Sequence, residues 1–141
     1  MIGFNAPFQQ EDGTAKSIET AIQMQILFDE LQKKWDEEFG VLLGLGIGID
    51  KGQVVMGNVG ATRRVNFALV GEAVHTAHRL VDIALDGEIV ISDSVYQSGH
   101  LEKTQGVPAD HANVVFESQG YQHLKGKPRP EPIYKATVDR K

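Results

Sequence analysis

Residues 65–80 read VNFALVGEAVHTAHRL. The stretch opens as an apolar strand and breaks at Gly71-Glu72. It resumes as a helix whose apolar residues, Ala73, Ala77, Leu80 and Ala84, recur at spacings of three and four. A strand that turns directly into a helix places two layers of a fold against each other, so neighbouring elements can be read outward from it. Gly71 supplies the freedom for an abrupt turn. His75 and Arg79 are four residues apart and project side by side from the helix. With His78 they form either a solvated face or a set of groups that reaches an anion.

Upstream, MIGFNAP reads as the end of a strand closed by Pro7, and QQEDGT as a polar link with Asp12 or Thr14 as helix cap. Residues 15–40 then predict a long helix. Ala21, Met24, Phe28, Leu31 and Trp35 form its core stripe, widened by Ile18, Ile22 and Leu27, and Gly40 ends it. VLLGLGIGID, residues 41–50, alternates apolar residues with Gly44, Gly46 and Gly48. Period two predicts a strand whose bare face lets another element pack close. A turn at Asp50, Lys51 and Gly52 is expected to join it as a hairpin to a strand in VVMGNVG. Downstream of the central stretch, Asp86-Gly87 stops the helix and EIVIS is a short buried strand. DSVYQSGHL reads as a short helix, and residues 102–113 as a loop. The closing segment is a hairpin bent at Lys125-Gly126-Lys127-Pro128. Together these give an α+β sandwich, with helices on one or both faces of a mainly antiparallel sheet.

The chain has 141 residues, one domain's length, with 14 Lys and Arg against 19 Asp and Glu, a net charge of −5. That balance argues against a broad nucleic-acid surface, though not against a small basic pocket. Without cysteine, disulfides and thiolate metal sites are excluded, in keeping with a cytoplasmic location. No apolar run is long enough to span a membrane. Gly44, Gly46 and Gly48 approach a dinucleotide-binding pattern in letters, but they lie inside a strand rather than opening a helix. His75 and His78 share a helix face, but no third ligand accompanies them, so no metal site is assigned. The Lys125-Gly126-Lys127 turn is the kind usually left to solvent. It also has what a phosphate-grasping loop requires, point charges on a backbone kept open by glycine.

Five segments, in order, resemble one family. FNAP with the following QED and long helix is similar to F-G-A-P, an acidic loop and a helix. GIGIDKGQVVMGNVG resembles G-I-x-x-G-x-V-x-x-G-N-I-G, and FALVGEAVHTAHRL resembles Y-x-x-x-G-D-x-V-N-x-A-x-R-L. DGEIVISDSVY is similar to P-G-E-I-x-I-S, and LKGKPRPEPIYKA to L-K-G-x-x-x-P-x-x-x-Y. The family is the class III adenylate and guanylate cyclase catalytic domain, and the chain resembles its C-terminal portion.

The resemblance implies a ferredoxin-like cyclase sandwich over residues 1–141, lacking the family's N-terminal βαα part. It implies conversion of ATP or GTP to the 3′,5′-cyclic monophosphate and pyrophosphate, at sites shared across a head-to-tail dimer. On matching positions, Arg79 is the arginine that stabilises charge on the reacting phosphoryl group, and Lys125 is the lysine that holds terminal phosphates. His75 stands where an asparagine usually orients the ribose. Ala68 stands at the base-reading position and offers no hydrogen bond, and Asp50 stands where histidine is common. The family's two metal-binding aspartates and a purine-reading lysine fall before or at the strand ending in MIGFNAP. Mg²⁺ or Mn²⁺ is therefore expected in a complete domain, with none on this chain alone, and the 141 residues are expected to be inert by themselves. An open strand edge left by that missing part predicts a homodimer or strand-exchanged oligomer. The altered positions 75 and 68 keep open a non-catalytic module that dimerises or senses nucleotide, or one with a purely structural role.

Overall fold

The computed structural model describes residues 1–4, 13–59, 66–104 and 114–138. The elements are α1 (Gly13–Phe39), β1 (Ile47–Ile49), β2 (Val55–Val59), β3 (Asn66–Val70), α2 (Glu72–Ile83), β4 (Ile89–Ser92), α3 (Asp93–Thr104), β5 (Val114–Gln122) and β6 (Glu131–Val138). A four-stranded sheet has the order β1-β4-β6-β5, and β2 and β3 form a separate two-stranded ribbon. β1 and β4 run parallel, and the remaining pairings are antiparallel.

β4 shows how the layers are built. All four of its residues are buried, and alternate side chains face opposite ways. Ile89 and Ile91 join Ile18, Ala21 and Ile22 of α1, Val95 of α3 and Ala136 of β6 in one core. Val90 joins Leu80 of α2, Leu124 and Ile133 in a second core on the other face. The molecule is thus a sandwich with α1 and α3 on one face of the sheet and α2 on the other. On the first face Tyr96 of α3 stacks on Tyr134 at 4.0 Å between ring centroids, and the Tyr134 hydroxyl donates to Asp93 at 3.1 Å.

The glycines before and within β1 serve α2. A Cβ on Gly48 would meet the Ala77 carbonyl oxygen at 2.5 Å, and one on Gly46 would meet Ala84 Cβ at 3.1 Å. Further on, Gly52 faces Ala73 at 3.0 Å. The helix therefore runs antiparallel to β1 and rests directly on its backbone. The bare face read from the sequence is this contact.

Several expectations need correction. Residues 1–4 form no strand, and residues 5–7 lie outside the described residues, as do Asp12, the ATRR turn and 105–113. α1 begins at Gly13, so Thr14 is inside the helix rather than its cap. The hairpin of residues 41–50 with 53–59 does not form. β1 is only Ile47–Ile49 and joins the four-stranded sheet through β4, while β2 pairs with β3. Residues 41–46 lie outside the ladder, and the Leu45 carbonyl accepts from the side-chain amide of buried Gln25 at 2.7 Å and from the backbone N–H of Gly87 at 3.0 Å. Only the first half of α1 is packed as the stripe predicts. Ile18, Ala21 and Ile22 are buried, but Met24, Leu27 and Leu31 are exposed. Phe28 and Trp35 instead pack edge-to-face on each other at 6.1 Å. Gly40, at φ +64, ends α1 as expected, and the closing hairpin of β5 and β6 forms.

Candidate functional site

The N-terminal end of α2, the loop after β1 and the closing turn meet on one side of the sheet. Gly71 is extended, at φ 164 and ψ 168, a conformation open to any residue. Its glycine is needed for space rather than for freedom: a Cβ there would lie 2.8 Å from the Gln53 carbonyl oxygen and 3.2 Å from Val54 Cα. This close pass sets the start of α2 against the chain leading into β2.

Within α2, Thr76 and Leu80 are buried, and Leu80 is wholly inaccessible. Glu72, His75 and Arg79 stand at i, i+3 and i+7, so they share a stripe along one flank. Seven residues are nearly two helical turns, which places Arg79 about 10 Å along the axis from Glu72. His75 is exposed and has no partner among the described residues. Among the described residues Arg79 meets only Asp82 on its own helix, at 3.4 Å, with both side chains substantially exposed. Such a pair is worth at most about 1 kcal/mol and leaves the guanidinium open to another anion.

The closing turn is held to this flank. Gly126 adopts φ +88 and the Lys127 N–H donates to the Leu124 carbonyl at 3.0 Å, a tight turn that needs glycine at its third position. Leu124 is buried under Leu80. Lys127 Nζ reaches Glu72 at 3.0 Å and Glu131 at 3.3 Å. Lys125 is exposed and forms no ion pair among the described residues. The turn expected to be either solvated or phosphate-grasping is thus divided. Lys127 is engaged with Glu72 of α2, and Lys125 is exposed two residues before it in the same turn.

Asp50 continues the alternation of Gly48 and so lies on the α2 side of the sheet, where the Ser92 hydroxyl and the Lys51 N–H donate to it. Burial raises its pKa above the usual 3.8; those hydrogen bonds and the nearby Lys127 charge offset only part of that effect, and Glu131 adds to it. For Lys127, burial lowers the pKa, but the Glu72 and Glu131 carboxylates outweigh it and hold the ammonium above its usual value. Ala68 lies elsewhere, half-buried on the β2–β3 ribbon and paired with Gly57, three residues before Gly71. No contact among the described residues ties it to the closing turn. Sequence reading did not single out Glu72, Glu131 or Ser92. Glu72 was legible as the acidic residue of the glycine turn, but its partner lies 55 positions away.

Among the described residues, no three His, Asp or Glu side chains converge to hold a metal ion. Asp50, a half-buried carboxylate, is committed to Ser92 and Lys51, and Glu72 and Glu131 to Lys127. The donor set described here does not fit the divalent cations the family uses, and no chemical step is routed through one.

The adenylate and guanylate cyclase catalytic domain family matches residues 2–135. The chain belongs to that family. An adenylate cyclase of Anabaena cylindrica is 33% identical over 95 residues, covering 62% of this chain and 19% of that protein. Among solved structures, the adenylyl cyclase CyaB of P. aeruginosa superposes with a TM-score of 0.80 at 26% identity, over 98% of this chain and 66% of that one. The guanylate cyclase domain of RhGC from Catenaria anguillulae, solved in complex with GTP, gives 0.74 at 25% identity, over 97% and 66%. The chain thus spans just under two thirds of these cyclase domains and a far smaller part of the Anabaena protein. No helix among the described residues is long and apolar enough to cross a membrane.

Proposed function

We propose that this chain is part of a nucleotide cyclase that converts ATP or GTP to the 3′,5′-cyclic monophosphate and pyrophosphate. Its share of the site is a triphosphate cradle formed by Arg79 and Lys125. The observation that carries this reading is the placement of the closing turn on the flank of α2 that bears Arg79, with Lys127 neutralised by carboxylates and Lys125 left open. Arg79 stabilises charge building on the reacting phosphoryl group, and Lys125 holds the terminal phosphates. His75 gives one hydrogen bond to the ribose, fewer than an amide would. Ala68 borders the base without reading it. Mg²⁺ or Mn²⁺ would have to be held in the assembled domain by carboxylates from outside the described residues. The site is completed across a homodimer, and the domain works in the cytoplasm.

A cyclase assay with Mn²⁺ and ATP or GTP tests this, on the 141 residues alone and joined to a cyclase N-terminal segment that carries the metal-binding aspartates. The chain alone should be inert and the joined protein active, with activity lost in Arg79→Ala. Turnover by the chain alone, or none by the joined protein, contradicts the reading.

A second reading, a non-catalytic homologue that dimerises or senses nucleotide, is favoured by His75 and Ala68 standing where the family places hydrogen-bonding amide and base-reading side chains. Binding of ATP or GTP by the joined protein without cyclisation would select it. No affinity for either nucleotide would leave only a structural role.

A further inference from the structure

The two lysines of the closing turn differ in everything but sequence. Lys127 is largely buried, with 17% of its side chain exposed, and two of its three N–H donors are directed at Glu72 of α2 and Glu131 of β6. The Asp50 carboxylate lies within electrostatic reach of the same ammonium. A triphosphate brought to Lys127 would face these carboxylates at close range, a like-charge arrangement that opposes binding. Lys125, two residues earlier, is exposed and has no ion pair among the described residues.

We infer that Lys127 is a positioning residue: its ion pairs lock the closing turn to the first turn of α2, and so fix the Lys125 ammonium beside the Arg79 flank. Leu124 under Leu80 supplies the apolar half of the same lock. Glu72 then has a stated role as the anchor point on α2, and Glu131 holds the other side of the turn at the start of β6. The purpose of the lock, though not its existence, rests on the cyclase reading of Lys125 and Arg79.

The test uses the full chain and two readouts. Amide hydrogen exchange over residues 124–127 is followed without nucleotide, and ATP binding is followed by titration calorimetry on the chain joined to a cyclase N-terminal segment that carries the metal-binding aspartates. Lys127→Ala should speed exchange in the turn about tenfold and weaken ATP about fivefold. Lys127→Arg should leave both near wild type, and Glu72→Gln, which weakens the anchor on α2 and keeps the Lys127 ammonium, should reproduce much of both losses. Lys125→Ala should weaken ATP without altering exchange. Unchanged exchange in Lys127→Ala overturns the lock. Faster exchange in Glu72→Gln with ATP affinity unchanged or raised overturns the positioning role and makes Lys127 a direct phosphate ligand. Absent ATP binding, or ATP affinity indifferent to Lys125→Ala, overturns the cyclase reading and the purpose assigned here, whatever the exchange data show.

Discussion

Gly48→Ala probes the contact on which the placement of α2, and with it of Arg79, depends. The added Cβ would lie 2.5 Å from the Ala77 carbonyl oxygen, 2.7 Å from the Val81 nitrogen and 2.9 Å from Leu80 Cβ. Two of these are backbone atoms of a helix interior and cannot rotate away. Restoring ordinary contact requires α2 to retreat from β1 by roughly 0.5–1 Å, and a close-packed interior transmits such a shift. The retreat loosens the cluster of Leu80, Val90, Leu124 and Ile133, and Leu80 and Val90 are completely inaccessible. Overpacking of this kind costs about 1–3 kcal/mol. Loss of glycine's freedom in the unfolded chain offsets about 0.4–1 kcal/mol of it. A net loss of ~1–2 kcal/mol, divided by a urea dependence of ~1–3 kcal/mol per molar, lowers the unfolding midpoint by roughly 0.5–1 M. Gly57→Ala is the control, because a Cβ there meets nothing within 4 Å. Its midpoint should stay or rise. Equal midpoints for the two variants would show that α2 does not rest on β1 as described.

Three further outcomes follow. The Lys135–Glu88 pair, at 2.7 Å, joins β6 to the start of β4. Burial raises the Glu88 pKa, but the Lys135 hydrogen bond and charge and the Leu85 N–H outweigh it and hold it below 4.5. Its stabilising effect is therefore complete above the unfolded value and is lost as pH falls through the folded one. Thermal melts of Glu88→Gln should show a lower Tm at neutral pH and a gap that closes in acid. Asp50 has the opposite sign: with its folded pKa raised above 3.8, its ionisation costs stability as pH rises through that window, and Asp50→Asn should remove this part of the pH dependence. Ala68→Thr adds a hydroxyl beside the proposed base position. One net hydrogen bond of about 0.5–1.5 kcal/mol should change the ratio of ATP to GTP affinity severalfold, and an unchanged ratio in calorimetry would remove position 68 from the base site.

How far the sequence could be read depends on whether a feature is local. The α2 stripe, the arrest of α1 at Gly40, the bare face of the Gly44–Gly48 run and the closing hairpin are fixed by periodicity and turn chemistry within each segment. The partner of a strand is not local. Residues 47–49 could pair with the next strand or with a distant one, and β4 wins because burial on both its faces is worth more than a short hairpin. Met24, Leu27 and Leu31 repeat like core residues, but periodicity cannot say where along a helix its covering layer ends. Arg79 and Lys125 were legible as cations on a helix and a turn, and the family pattern joined them. The lock between Lys127 and Glu72 was not, because ion pairs between elements leave no spacing in the sequence.

The edge of β1, unpaired among the described residues, and the exposed Leu27, Leu31 and Phe39 of α1 make self-association the expected state at high concentration, and a monomer by light scattering would count against it. The most direct test of the shared cradle is a double-mutant cycle of Arg79→Ala and Lys125→Ala in the joined protein, read by calorimetric titration with ATP. If both groups hold one triphosphate, each change weakens binding about tenfold, as loss of a charge-assisted hydrogen bond requires, and the two effects do not add. Affinity unchanged in both single variants, or losses that add as from unrelated sites, would contradict it.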